Sequence, residues 1–166
     1  KPILVFGATG LQGGAVVSTL LKAGWKVRAF VRRGGSFTPS LDECEIAPGD
    51  LDDTESIRAA MADVYGVYSA LPSSATAPGM TDEDEVRWGK TIADLAVESG
   101  AHHLIYSSSN GVAAAPTGIG HYDGKALIEE HVRGLPIIKT IVEPAGFMET
   151  LMMPGNGLEK GQFSFF

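Results

Sequence analysis

The sequence predicts an α/β domain built on a parallel sheet that is buried on both faces. Continuous apolar runs of strand length recur along the chain, and segments with helical periodicity separate most of them. Because crossovers between parallel strands are right-handed, this alternation gives a doubly wound sheet with strand order 3-2-1-4-5-6 and helices on both faces. In such sheets the ligand crevice is expected at the carboxyl ends of strands one and four.

The predicted strands cover residues 3–6, 27–31, 43–47, 65–70, 103–107 and 137–142, and the predicted helices cover 11–23, 54–62, 83–99 and 122–133. Asp53 or Thr54 is expected to cap the second helix, and Thr81 or Asp82 the third. A glycine stands just past three of the helices, where a left-handed residue is expected: Gly24, Gly100 and Gly134. Two long loops, 71–80 and 108–120, follow predicted strand ends, where loops carry function in such folds.

Composition and charge limit the class of protein. The chain has 166 residues, of which 44% are hydrophobic and 20% charged, so a single folded domain is expected rather than a disordered chain. The single Cys44 excludes an internal disulfide and a multi-cysteine metal site, and it fits a reducing compartment. No apolar run approaches the ~18 residues that span a bilayer, and no secretory leader is visible, which predicts a cytoplasmic protein that does not enter membranes; a leader removed earlier would leave no trace.

The net charge of −7 argues against direct nucleic-acid binding driven by overall charge. The acidic runs 42–53 and 82–85 are interpreted as solvated turns and a helix start. Arg28, Arg32 and Arg33 form a basic cluster within one segment.

The turn between the first strand and the first helix carries the main functional signal. Its glycines follow the pattern G-x-x-G-x-x-G, rather than the usual G-x-G-x-x-G, and the predicted contact residues are Gly7, Thr9, Gly10, Leu11, Gln12 and Gly13. A strand, a glycine-rich turn and a helix N-terminus form a pyrophosphate site in Rossmann-type dinucleotide-binding folds, because backbone N–H groups and the helix dipole point at the anion. The alternative is a glycine-rich turn that binds nothing.

The end of the second strand indicates which dinucleotide is bound. Folds specific for NAD(H) place an acidic residue here to bind the ribose 2′-hydroxyl, whereas this chain has Arg32 and Arg33. A guanidinium holds a 2′-phosphate by charge-assisted hydrogen bonds. NADP(H) is therefore predicted in preference to NAD(H). The alternative is that both arginines are solvated charges at a strand end.

The ends of other strands supply further candidate cofactor contacts. Asp50 and Leu51 are placed to contact the adenine amino group and ring, although Asp50 also fits a helix-capping turn. Ala70 and Leu71 carry no charge, so their backbone would line the middle of the cofactor. Residues 143–148, which include Pro144 and Phe147, form a turn that would face a nicotinamide or pack in the core.

The second half of the chain lacks a known catalytic pattern. Short-chain dehydrogenases use a serine with Tyr-x-x-x-Lys, and here Ser107 ends the fifth strand while His121 stands four residues before Lys125. Tyr122 stands three before Lys125, on a different side of a 3.6-residue helix, and cannot simply replace the tyrosine. Lys125 can donate to a ribose or carbonyl oxygen. His121 is a candidate general acid or a structural residue. The sequence shows no metal-ligand spacing; in particular, His102 and His103 are interpreted as strand-entry residues.

Together these residues resemble the NmrA-like family, atypical members of the short-chain dehydrogenase/reductase superfamily. The resemblance runs in order through residues 7–14, 27–33, 49–51, 89–96, 106–108, 121–125 and 144–149. It implies that the glycine turn holds pyrophosphate, Arg32 the 2′-phosphate, Asp50 and Leu51 the adenine, and Lys125 the nicotinamide ribose, with Phe147 near the nicotinamide.

The same resemblance implies two classes of function. One is a redox sensor or transcriptional co-regulator that binds NADP(H) without turning it over and acts through a protein partner. The other is a reductase of quinones or related carbonyl compounds, although the dehydrogenase tyrosine is absent; nothing specific supports a nucleotide-sugar or isoflavone-type substrate. Residues 1–150 are expected to form the NAD(P)-binding domain. Residues 151–166 are expected to begin a truncated substrate-side region or, alternatively, to form a short tail on the sheet edge.

Overall fold

The computed structural model describes residues 1–34, 41–74, 77, 79–149 and 161. Its strands are β1 (Ile3–Phe6), β2 (Val27–Arg32), β3 (Glu45–Gly49), β4 (Gly66–Ser69), β5 (His103–Ser107) and β6 (Ile138–Val142). Its helices are α1 (Leu11–Lys22), α2 (Thr54–Ala60), α3 (Asp82–Glu98) and α4 (Gly120–Gly134). The predicted segment 151–166 lies outside the described residues except for Gly161.

All pairings between neighbouring strands are parallel, and the strand order is β3-β2-β1-β4-β5-β6. This confirms the predicted doubly wound sheet. The chain runs outward from β1 in one direction and from β4 in the other, so the order reverses between these two central strands. Such a reversal leaves a crevice beyond the carboxyl ends of β1 and β4.

Apolar side chains cover both faces of the sheet. On one face α1 contributes Val17, which packs with Val5 and Ala29. On the other face α2, α3 and α4 pack against the strands through a larger set of apolar residues that includes Ile57, Ile92 and Ile128. Since each side chain removed from water contributes about 1.5–3 kcal/mol, these two layers hold the strand ends in fixed positions.

The helix boundaries follow local chemistry. The Asp53 carboxylate accepts a hydrogen bond from the Ser56 N–H and caps α2, while Thr81 and Asp84 form a reciprocal capping box at α3. Gly24 and Gly100 have φ values of 80° and 70°, as expected for left-handed residues that end a helix.

The expectation for Gly134 was wrong. It is the last residue of α4, and its φ is not positive. The next residue, Leu135, is extended with φ −79° and ψ 147°. Because the chain passes directly from the helix into extended backbone, no left-handed residue is needed there.

Strand β3 begins and ends two residues later than predicted. Pro48 is part of it, aligned with Val31. Proline has no N–H to donate, but β3 is an edge strand, where one side of the backbone needs no partner. The shift matters for the site because it brings Gly49 to the end of the strand.

No helix in the described part of the chain is both long and apolar enough to cross a membrane.

Candidate functional site

The glycine turn after β1 is tightly built. The Gly10 N–H donates to the Gly7 carbonyl oxygen at 2.9 Å, and Gly7 has a φ of 72°, which favours glycine. A Cβ on Gly7 would lie 2.3 Å from the Ala70 carbonyl oxygen, and one on Gly13 would lie 2.1 Å from the Gly7 carbonyl oxygen. The backbones of the turn, of α1 and of the end of β4 therefore approach more closely than side chains would allow.

The N-terminus of α1 differs from those of the other described helices. Its N-cap, Gly10, provides no side-chain hydrogen bond, and its first turn has no acidic residue. By contrast, α2 and α3 are capped by Asp53 and Thr81 and carry acids in their first turns, and the first turn of α4 contains Asp123. The N–H groups and the positive dipole end of α1 are thus free to attract an anion.

A polar contact joins the turn to the far side of the crevice. The Ser107 hydroxyl donates to the Gln12 side-chain oxygen at 2.9 Å, linking α1 to the end of β5. A hydrogen bond also joins Ser107 to the Tyr68 hydroxyl. Burial raises the pKa of Tyr68, and the bond to Ser107 partly offsets that effect. Sequence reasoning missed Tyr68, because nothing in its local pattern separates it from a core aromatic residue.

The structure separates the three arginines of the basic cluster. Arg28 lies on the inner part of β2 and donates to the Ala60 and Ala62 carbonyl oxygens at the end of α2. Arg33 forms an ion pair with Asp53 at 2.9 Å. The Arg32 side chain is exposed and makes no hydrogen bond or ion pair with any other described residue. Of the two predicted phosphate ligands, Arg32 is therefore the one whose guanidinium has no partner among the described residues.

The loop after β3 has a defined polar structure. The Asp50 side chain accepts a hydrogen bond from the Asp52 N–H at 3.0 Å, as expected for a turn, and the Asp50 N–H donates to the Ser56 hydroxyl. Leu51 is half-buried at the edge of the core. A Cβ on Gly49 would lie 2.4 Å from the Phe30 ring, so only glycine lets the loop start this close to β2.

Asp52 connects this loop to α3. Sequence reasoning did not anticipate this contact. Its carboxylate accepts from the Trp88 indole at 2.9 Å and pairs with Arg87 at 2.8 Å. The bond from Trp88, followed by that from Arg87, lowers the pKa of Asp52. The loop that contains Asp50 and Leu51, the predicted adenine contacts, is therefore fixed by hydrogen bonds to α2 through Ser56 and to α3 through Trp88 and Arg87.

Lys125 is buried, with 8% of its surface exposed. Its ammonium pairs with Glu85 Oε1 at 2.5 Å, and Glu85 is 1% exposed. The interpretation of residues 82–85 as a solvated helix start was therefore wrong for Glu85. Glu85, Gly89, Ile92 and Ala96 share helical spacing, so this spacing was the signal that Glu85 faces the interior.

The remaining candidates lie on loops and helix starts. The half-buried His121 ring lies 4.2 Å from that of Tyr122, whose ring packs where a side chain on Gly111 would stand. The Pro144 carbonyl oxygen accepts from the Asn110 N–H at 3.1 Å.

Two predicted apolar contacts differ in exposure. Phe147 is 43% exposed, so it does not pack in the described core. Leu71 is half-buried beside Ala70. Among the residues that the structure describes, no group of three or more His, Cys, Asp or Glu could hold a metal ion.

A glycine turn and a helix N-terminus without a side-chain cap follow β1, and Arg32 is the last residue of the neighbouring strand β2. The profile of the NmrA-like family matches residues 1–164. The chain belongs to the NmrA-like family.

Similar proteins agree with this membership. An NmrA-like family domain-containing protein of Dictyostelium discoideum is 32% identical, covering 81% of this chain and 46% of the relative. An NmrA-like family domain-containing oxidoreductase of Aspergillus flavus is 29% identical over all of this chain and 53% of the relative. The chain thus spans about half the length of these relatives.

A solved structure shows the same fold. The Citrobacter sp. triphenylmethane reductase complexed with NADP(H) superposes with a TM-score of 0.74 at 21% identity, covering 96% of this chain and 54% of the reductase.

Proposed function

We propose that this chain is the NADP(H)-binding part of a reductase that acts on quinones or related carbonyl compounds. The observation that carries the proposal is the N-terminus of α1, which follows a glycine turn and has neither a side-chain cap nor an acidic residue in its first turn. Such a helix end favours a diphosphate. The oxidoreductase names of the relatives and the NADP(H) complex of a protein with the same fold are consistent with it.

The residues present fit a dinucleotide. A Cβ on Gly7 or Gly13 would meet the chain's own backbone, so these glycines allow the tight turn that brings backbone N–H groups to the start of α1. In this proposal Thr9, Leu11 and Gln12 border the pyrophosphate, and Arg32 holds the 2′-phosphate. The other contacts follow the strand ends outward: Asp50 and Leu51 to the adenine, Ala70 and Leu71 to the middle, Ser107 and Lys125 to the nicotinamide ribose, and Pro144 and Phe147 to the nicotinamide side.

When bound, NADPH supplies a hydride. The protein's own task is then to orient the substrate and to stabilise negative charge on its oxygen. A quinone spreads that charge over a conjugated ring and needs little proton donation, so the ammonium of Lys125 or the ring of His121 suffices electrostatically. This explains how the chain can act without the tyrosine of Tyr-x-x-x-Lys.

Calorimetry with NADPH, NADP⁺, NADH and NAD⁺ tests the cofactor assignment. We expect the phosphorylated forms to bind at least tenfold more tightly, since a charge-assisted hydrogen bond contributes about 1.5–3 kcal/mol. Arg32→Asp should abolish this preference. Arg33→Ala is the matched control, because Arg33 already pairs with Asp53, and it should largely retain the preference. Equal binding of NADPH and NADH by the unaltered protein would contradict the assignment.

Turnover tests the reductase assignment. NADPH oxidation with a panel of quinones and aldehydes should reach about 1 s⁻¹ or more for at least one substrate, an ordinary enzymatic rate. Lys125→Ala should lower kcat as well as cofactor affinity. If NADPH binds but no substrate is reduced, and Lys125→Ala changes cofactor affinity alone, the reductase proposal fails.

A second candidate is a non-catalytic NADP(H) sensor that signals through a protein partner. It is favoured by the missing tyrosine, since His121 stands four residues before Lys125 where short-chain dehydrogenases have that tyrosine. In this case, NADPH and NADP⁺ should bind with clearly different affinities and turnover should be absent.

A further inference from the structure

A group of buried polar side chains lies between α3, α4 and β5. Glu85 comes from α3, Lys125 and Glu129 from α4, Tyr106 from β5, and Ser108 from the residues that follow β5. Each of them is at least nine-tenths buried. Buried charges are costly unless they are paired, so this group requires an explanation beyond packing.

Close helix packing sets the distance between Glu85 and Lys125. A Cβ on Gly89 would lie 2.6 Å from Ile128, and one on Gly124 would lie 3.3 Å from Val86. Glycine at these two positions therefore lets α3 and α4 approach each other. The 2.5 Å pair between Lys125 Nζ and Glu85 Oε1 joins the two helices at this point.

The other charges around the pair are already partnered. Glu129 accepts from the Ser108 hydroxyl at 2.5 Å and pairs with Arg133 at 2.9 Å. Asp82, at the start of α3, accepts from Ser74 and lies against Gly120. Tyr106 stays protonated, since burial, followed by the charges of Glu85 and Glu129, raises its pKa. Glu85 is thus the carboxylate that balances the Lys125 ammonium.

We propose that Glu85 is a positioning residue that holds Lys125 as a fixed ammonium for the nicotinamide ribose. The inference rests on the proposed function, in which Lys125 binds that ribose. The four-carbon side chain of a lysine has many rotamers, and the ion pair with Glu85 fixes the position of the Lys125 ammonium. The second oxygen of Glu85, Oε2, is buried and has no hydrogen-bond partner in the described part of the chain, so Lys125 is the only cation this carboxylate binds there.

Chemical labelling of Lys125 tests this role without any dinucleotide. The purified protein is treated with acetic anhydride at pH 8, and acetylation is measured by peptide mass spectrometry, with Lys90 and Lys139 as internal references. Glu85→Gln leaves the buried Lys125 ammonium without its partner, so the side chain should move toward solvent and its labelling should rise on the order of tenfold. Glu85→Asp, which keeps the charge, should stay close to the unaltered protein. Glu83→Gln, an exposed change on the same helix, is the matched control.

Calorimetry supplies the second measurement. Glu85→Gln should weaken NADPH and NADH binding by a similar factor, because Lys125 acts at the ribose they share, and Glu85→Asp should restore part of the affinity. Unchanged labelling of Lys125 in Glu85→Gln, or an equal rise at Lys90 and Lys139, overturns the role of Glu85 alone. Absence of NADPH binding by the unaltered protein overturns the proposed function, and with it the ribose assignment.

Discussion

Gly13 and Gly14 are neighbours in α1 but differ in their surroundings. A Cβ on Gly13 would meet the backbone of Gly7, which cannot move aside, whereas one on Gly14 would lie 3.5 Å from the Ala8 carbonyl oxygen, an ordinary contact. We expect Gly13→Ala to cost about 1–3 kcal/mol through overpacking and to weaken dinucleotide binding. Gly14→Ala should be neutral or stabilise by up to about 1 kcal/mol, since alanine favours a helix interior.

Urea denaturation of the two variants, with calorimetry of NADPH binding, checks this pair. Equal stability of Gly13→Ala and the unaltered protein would show that the turn tolerates a side chain and that its close packing is not required.

Tyr106 also makes a prediction at the level of one residue. Its ring is fully buried, and its hydroxyl has no hydrogen-bond partner among the described residues. Replacing an unpaired buried polar group by an apolar one of the same shape is neutral or stabilising. Tyr106→Phe should therefore raise the free energy of unfolding by about 0–2 kcal/mol in urea denaturation. A clear loss of stability would mean that the hydroxyl has a partner, such as an ordered water molecule.

At the level of elements, the start of α3 depends on its capping box. Thr81 accepts from the Asp84 N–H at 3.1 Å, and the Asp84 carboxylate accepts from the Thr81 N–H at 3.1 Å. Thr81→Ala should lower the free energy of unfolding by about 1 kcal/mol. Thr54→Ala is the matched control, because Thr54 is exposed in the first turn of α2 and makes no side-chain hydrogen bond with described residues. An equal effect of both changes in thermal unfolding would contradict a capping role for Thr81.

The elements also show what the sequence could and could not predict. The capping residues and apolar periodicity predicted every described helix and strand, because these signals act over a few residues. The side-chain contacts of the candidate site join residues that are distant in sequence. Gln12 is hydrogen-bonded to Ser107, and Glu85 to Lys125. Residues so far apart in the chain leave no local pattern, so Lys125 was predicted as a site residue without its partner, and Arg33 without Asp53.

The whole molecule should lose stability in acid. Among the described residues, four carboxyl groups have pKa values below their usual range because of the hydrogen bonds that they accept. The main cause is a hydrogen bond from Trp88 for Asp52, from the Ser56 backbone for Asp53, from Arg87 for Asp84 and from the Thr117 backbone for Asp123. A carboxyl group whose pKa is lower in the folded state stabilises that state above its unfolded pKa, and the effect disappears as pH falls through the folded value.

We therefore expect the free energy of unfolding to be roughly constant from pH 7 to 5 and to fall below about pH 4. Urea titrations at a series of pH values measure this, and Asp123→Asn should reduce the drop, since the variant has already lost one of the four groups. A drop that begins near pH 6 would indicate titration of histidine instead.

The central position of β1 sets an order of events during synthesis. Ile3 aligns with Val27 on one side and with Gly66 on the other. A nascent chain can join β1 to β2 early, but β4 emerges from the ribosome much later, and loop closure over that distance is slower. The close approach of the Ala70 carbonyl oxygen to Gly7 therefore forms late, and a growing polypeptide carries its glycine turn long before the strand that packs beside it.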